Sequence, residues 1–250
     1  DFPVPRDAII GSQDFIWIAD DKIGLVKNWD VWNFESYQPN GPSTANVINM
    51  SVEGSNLWVA PGGVTSTWTN MYNIDGIFSF TDESWKTINS LNTPAFDTII
   101  DIISVGVNPS NPSYAYAGSW SKGLLEFQDN TFSRIFNSSN STLIGTGPFL
   151  SGPILVGGIC FDSDGNMWVT NSGVNEALHV RTSAGNWYGF DCTGYVNNQE
   201  IGGLTIDRSD QKWIILPRNN GILVYNDNGT ISNTSDDLKK KIGNSTGTGN

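Results

Sequence analysis

The chain has 250 residues, 38% apolar and 12% aromatic, enough to bury a large core. Thirteen Lys and Arg against 25 Asp and Glu give a formal charge of −12, which leaves no basic face for nucleic acid and disfavours an anionic membrane surface. No run of apolar residues is long enough for a membrane-spanning helix, and the opening Asp1-Phe2-Pro3 has no signal-peptide character, so it reads as the start of a mature or excised segment.

In chain order, one pattern recurs five times. An apolar strand passes through a polar turn into an aromatic-centred strand, then into a strand that opens on Gly-Leu or Gly-Ile, then into another aromatic. The second strands are 16–18, 57–59, 114–116, 167–169 and 212–214, centred on Trp17, Trp58, Ala115, Trp168 and Trp213. The third strands begin at Gly24, Gly76, Gly123, Ala177 and Gly221. Fourth strands are expected around Trp29, Trp85, Phe132 and Trp187. A repeat of roughly 40–60 residues with four short strands each predicts an all-β fold, a β-propeller of four-stranded antiparallel blades. The blades are bracketed as 7–36, 47–90, 99–136, 154–191 and 201–232, within one segment spanning 1–250. Five blades bounded at both ends suggest a piece of a larger propeller, seven-bladed or tandem, with terminal blades able to self-associate.

The second-strand tryptophans are read as core plates between neighbouring blades, since each buries about 150–250 Å². Residues 233–250 are read as a polar linker, with Ser235 to Ile242 the one stretch that has any helical character. Pro61 to Asp75 lengthens the second-to-third connection of blade two, and Asn137 to Pro153 lengthens the link from blade three to blade four. In a propeller both connections reach the same face, where function is grafted onto loops.

The segments Asp164–Thr170 (DGNMWVT), Gly11–Lys27 (GSQDFIWIADDKIGLVK) and Gly221–Asn226 (GILVYN) resemble two-component-regulator propeller repeats of Bacteroidetes. Gly54–Asn89 and Val105–Phe127 are similar to the propeller region of PorZ-type proteins, surface components of type IX secretion. The resemblance implies a periplasmic or outer-membrane-surface protein without catalysis in the propeller. It implies protein partners in the cell envelope, with a glycan or lipopolysaccharide as a further ligand class; carbohydrate sensing, as in the hybrid two-component sensors, is the alternative role. Asp97-Thr98-Ile99 matches a short O-glycosylation pattern of that phylum.

The chemistry is sparse. His179 is the only histidine and lies mid-strand in blade four, where a packed side chain is expected; a Ser-His-Asp site would need it at the channel mouth. Asp162, Asp164 and Asn166 alternate like the start of a calcium loop, but no glutamate follows, and a hairpin turn explains them. A glycosidase would need paired carboxylates; Asp101, on the inward first strands, and Asp20 and Asp21 are stray candidates. Cys160 in a first strand and Cys192 beyond a fourth strand stand about 14 Å apart, too far for a disulfide. No metal, cofactor or catalytic residue is expected. Trp68, Tyr72, Trp120, Asn171 and Arg218 are the candidate ligand-binding residues, aromatics to stack and polar groups to bond along one face.

Overall fold

The computed structural model describes residues 3–12, 15–30, 32–37, 40–197 and 199–243. The turn residues Gln13 and Asp14, and 244–250 of the expected linker, lie outside them. The chain divides into two compact units, 1–41 and 42–250.

The first unit is one antiparallel sheet in the order β1 (Pro5–Ile10), β2 (Ile16–Asp20), β3 (Gly24–Asn28), β4 (Phe34–Tyr37). Asp20 Oδ1 accepts the amides of Lys22 and Ile23 and so shapes the β2–β3 turn, while Arg6 pairs with Asp21. The fourth strand begins five residues later than the expected Trp29. Trp17 is half-buried, its ring 5.7 Å from Tyr37. Ile9, Ile10, Trp32 and Phe34 are exposed.

The second unit holds four more antiparallel sheets, each in sequential strand order. They are β5 (Asn49–Glu53), β6 (Asn56–Ala60), β7 (Ile77–Thr81), β8 (Ser84–Ile88); β9 (Ile102–Val107), β10 (Tyr114–Ser119), β11 (Gly123–Gln128), β12 (Thr131–Phe136); β13 (Leu155–Phe161), β14 (Met167–Ser172), β15 (Glu176–Arg181), β16 (Trp187–Asp191); and β17 (Leu204–Ile206), β18 (Lys212–Leu216), β19 (Gly221–Asn226), β20 (Leu238–Ile242). The last of these corrects the reading of 233–250 as a linker and of 235–242 as helical. Leu238–Ile242 pairs antiparallel with β19 and completes the fourth blade of this unit.

Glycine opens the third strands for a steric reason. Gly76, Gly123 and Gly221 have φ of 79°, 95° and 92°, and a Cβ at each would strike the carbonyl oxygen of Ile88, Phe136 and Ile242 respectively. The same collision with the end of the fourth strand in three blades shows how one local rule is reused.

Adjacent blades meet through their first strands, β5 against β9, β9 against β13 and β13 against β17. Asn49 Oδ1 accepts the Val105 amide and Ser51 Oγ accepts the Val107 amide, both at 3.0 Å. A step of two residues on one strand matches a step of two in the same direction on the next, so these first strands run parallel. All four blades therefore place their first-to-second and third-to-fourth turns at one end, the turn end. Their second-to-third and blade-to-blade connections lie at the other, the loop end.

The core sits between blades. Trp58 packs 4.8 Å from Phe127 of the next blade, and Trp168 stacks on Phe190 at 5.4 Å with Tyr225 of the next blade at 6.3 Å. Each such burial removes roughly 150–250 Å² of aromatic surface from water, on the order of 4–6 kcal/mol. Trp58 and Trp168 are core as expected, but Trp213 is only half-buried. Its indole N–H still donates to Asp207 at 2.9 Å, as Trp168 donates to Asp162 at 2.8 Å. Beside Trp168, the fully buried Lys212 ammonium lies 4.1 Å from the ring centroid and 2.8 Å from Asp227. A buried cation is tolerable only with such partners.

Candidate binding site at the loop end

One carboxyl group fastens the centre of the 61–75 insertion, whose ends are held by Gly62 N–H on the Ile102 carbonyl and by Asp75, which accepts from Thr44 and Asn46. Asp101, buried with φ 51° just before β9, takes the Asn70 amide, Met71 N–H and Tyr72 N–H on Oδ2 at 2.9, 3.1 and 3.0 Å, and Asn73 N–H on Oδ1 at 2.9 Å. Its own N–H donates to the Asn73 carbonyl and its carbonyl accepts the Trp120 N–H. The four donors lie some 30 residues upstream, so sequence alone read Asp101 as a stray acid on the channel wall.

Trp68 and Trp120 are brought together: their rings meet edge-on at 5.5 Å, and Trp120 Nε1 donates to the Trp68 carbonyl at 3.2 Å. Trp120 is buried. Trp68 is half-buried and reaches blade five of the repeat, where a Cβ on Gly202 would fall 2.9 Å from its Cη2. The insertion thus leaves one blade, crosses the next and ends against a third. Tyr72, in the same loop, is 74% exposed. Trp68 and Tyr72 both have φ of 61°, a left-handed conformation unfavourable for bulky side chains.

The 137–153 link is held by neutral groups. Asn171 Oδ1 accepts the Ile144 N–H at 2.8 Å, and the Thr142 hydroxyl bonds His179 Nδ1 at 2.9 Å. His179 Nε2 reaches the Glu176 carbonyl at 2.9 Å, which fixes the tautomer: Nε2 carries the hydrogen and Nδ1 accepts. Complete burial pushes the His179 pKa down to about 4, so the ring is neutral.

The five candidates therefore do not form one exposed ring. Trp120 and Asn171 are buried because their side chains fasten loops, and Arg218, exposed in the β18–β19 turn, pairs with Glu200 at 3.2 Å. Tyr72 is the one large exposed aromatic among them. What the sequence did not single out is a groove of about 690 Å³ between the 98–100 and 137–153 connections, with walls that include Thr98, Ser121, Lys122, Ser138, Ser139 and Ser151. Toward the axis, the first strands enclose a second cavity of about 470 Å³, lined in part by Asn49, Ser51, Glu53, Gly158, Cys160 and Gly203. Cys160 and the buried Cys192 are unpaired, and burial pushes the Cys192 thiol up to about 11. Asp162 Oδ1 accepts the amides of Asp164 and Asn166, a hairpin-turn role. Among the described residues no three His, Cys, Asp or Glu side chains gather for a metal ion.

This geometry can be set beside known structures. PorZ of Porphyromonas gingivalis, an essential surface component of its type IX secretion system, superimposes with a TM-score of 0.72 at 22% identity, over 92% of this chain and 32% of that one. The fold is a β-propeller. The extracellular domain of a putative hybrid two-component system of B. thetaiotaomicron matches with a TM-score of 0.55 at 14% identity, over 98% and 34%. Virginiamycin B lyase of Staphylococcus aureus gives 0.54 at 15%, over 96% and 70%. The chain spans about a third of the length of the first two propeller proteins. The first two are of the kinds that the repeat segments resemble. No protein-family model and no curated protein matches the chain.

Proposed function

We propose that this chain is a non-catalytic, extracytoplasmic binding and scaffold propeller, a PorZ-like component of type IX protein secretion working in the periplasm or at the outer-membrane surface. The observation that carries the binding reading is the fate of its polar groups. Both carboxyl oxygens of Asp101 are occupied by four donors, and both ring nitrogens of His179 are bonded in a neutral, buried site. The groups best suited to proton transfer hold loops in place, and the loops present a surface. The fold likeness to PorZ over most of the chain supports the secretion role. Among the described residues no helix is long and apolar enough to cross a membrane.

Carbohydrate sensing is the second reading, favoured by the likeness to the hybrid-system extracellular domain and by the exposed Tyr72 ring. Affinity isolation from outer-membrane extracts of a type IX-secreting bacterium separates them. Co-isolation of secretion components at stoichiometric yield is expected. Saturable binding of an oligosaccharide in calorimetry, with no secretion component retained, would replace the first reading with the second.

A further inference from the structure

Exposed apolar side chains in 42–243 are unevenly placed. Val47, Ile48, Met50, Val52, Ile215, Ile222, Leu238 and Ile242 lie in or beside strands of the first and last blades of this unit. The remaining large ones, Met71, Tyr72, Ile74, Leu91, Phe149 and Leu150, are all in loop-end connections. The turn end has none. It carries Asp82, Glu83, Asp129, Asp164 and Asp207, exposed in tight hairpins. One end of these blades is acidic, and the other bears apolar tips.

Those tips are built to stay out. Phe149 is 98% exposed and Leu91 93%. Phe149 and Leu150 sit at φ of 65° and 53°, closed into a tight turn by Leu150 N–H to the Gly147 carbonyl and Gly152 N–H to the Thr146 carbonyl. Non-glycine residues hold such angles when the surroundings impose them, and this strain gathers at binding sites. Behind the tip lies the 690 Å³ groove, and its free groups are polar: among the described residues the Thr98 and Ser138 hydroxyls and the Lys122 ammonium make no bond within the chain.

We infer that the groove between 98–100 and 137–153, with the Phe149–Leu150 tip, binds an extended polypeptide segment of another protein. The inference rests on the binding reading above and names its ligand. A peptide in extended form offers a polar backbone to the hydroxyl-lined groove and apolar side chains to the tips. A saccharide would want an aromatic platform facing its polar partners, and the groove lining holds no aromatic residue; Phe149 at the tip is the single aromatic of the site. A bilayer would want several cations, and the groove has Lys122 alone.

The test is selection of short random displayed peptides on the immobilised full chain, followed by affinity measurement against the Phe149→Ser/Leu150→Ser double variant and an Asp82→Ser/Glu83→Ser control. Both pairs are solvent-exposed, and matching thermal midpoints of the two variants and wild type show that each folds before affinity is compared. Selected peptides should carry apolar residues at alternating positions. They should bind the tip variant at least about tenfold more weakly and the control unchanged. Failure to select any peptide, equal affinity for both variants, or tip-dependent binding of an oligosaccharide array or of phosphatidylethanolamine vesicles in place of peptide overturns it. The two proposals fail separately. Secretion components retained equally by wild type and the tip variant would leave the role standing and remove this surface; tip-dependent peptides without any secretion component would do the reverse.

Discussion

The two long loop-end connections are fastened in different ways. The 61–75 insertion is fastened at its centre by one buried acid that gathers four N–H donors and lies at the start of the next blade. The 137–153 link depends on the neutral side chains of Asn171 and His179, spread over two strands of one blade. The first arrangement concentrates the holding energy in one residue and ties several blades through Trp68. The second distributes it and includes an imidazole that burial keeps neutral. One loop should break by mutation, the other by acid.

The largest effect is expected at Asp101. Asp101→Ala leaves three backbone N–H groups and one of the two amide hydrogens of Asn70 (the amide keeps its bond to the Trp120 carbonyl) without an acceptor in a part-buried loop, a loss of about 4 kcal/mol. Urea unfolding measures it, and limited proteolysis should cut first within 61–75. A loss below about 1 kcal/mol would mean that Trp68 and Trp120, not Asp101, hold the insertion.

Acid should act on the second loop. The His179 pKa is about 4 in the fold against the ordinary 6.5, so between these values the unfolded chain takes a proton that the folded chain refuses. The unfolded state is then favoured as pH falls, and about 3 kcal/mol of stability present above pH 6.5 disappears by pH 4. Glu176, whose carboxyl is pushed up by burial first and by Asp191 second, works in the opposite direction. The clean measurement is therefore the difference between wild type and His179→Gln in urea midpoints at pH 7 and pH 4. Parallel losses in the two proteins would rule out His179 as the cause.

How far the sequence revealed this arrangement differs by scale. Strands two and three were legible because Trp at the centre of one and Gly at the head of the next answer to local constraints: a wedge to fill and a positive φ. Leu238–Ile242 was not, because three consecutive lysines suit an exposed sheet-edge strand and read as a polar linker. Trp213 shares the repeat position of Trp168 but not its burial, since Trp168 is covered by Lys212 and Tyr225 of the following blade in addition to Phe190 of its own. Asn171 and Trp120 were placed at the correct end of the blade but assigned to the surface. Their burial follows from loops that fold back over them, information carried by residues 27 and 52 positions away.

A smaller effect separates the two anchors of the second loop. Asn171→Ala frees the Ile144 N–H and should cost about 1–2 kcal/mol at neutral pH, roughly a third of the Asp101 effect, because one donor is stranded instead of four. The amide nitrogen of Asn171 has no partner in its buried site, so losing it offsets part of that cost. A pH profile parallel to wild type, merely shifted down, is expected; a flattened profile would show that Asn171 and His179 act as one unit.

The smallest stability effect should come at Tyr72, and there the comparison turns from holding the loop to what the loop presents. The ring is 74% exposed, so little hydrophobic stabilisation depends on it. Replacing it with glycine relieves about 1 kcal/mol of left-handed strain and loses a similar amount to the freer unfolded chain, leaving the net near zero. Thermal unfolding of Tyr72→Gly should match wild type within about 0.5 kcal/mol. If the insertion is fastened by Asp101 so that this ring can be displayed, the loss will appear in partner affinity alone. A variant that unfolds earlier would instead make Tyr72 part of the fastening, and the insertion a brace between blades.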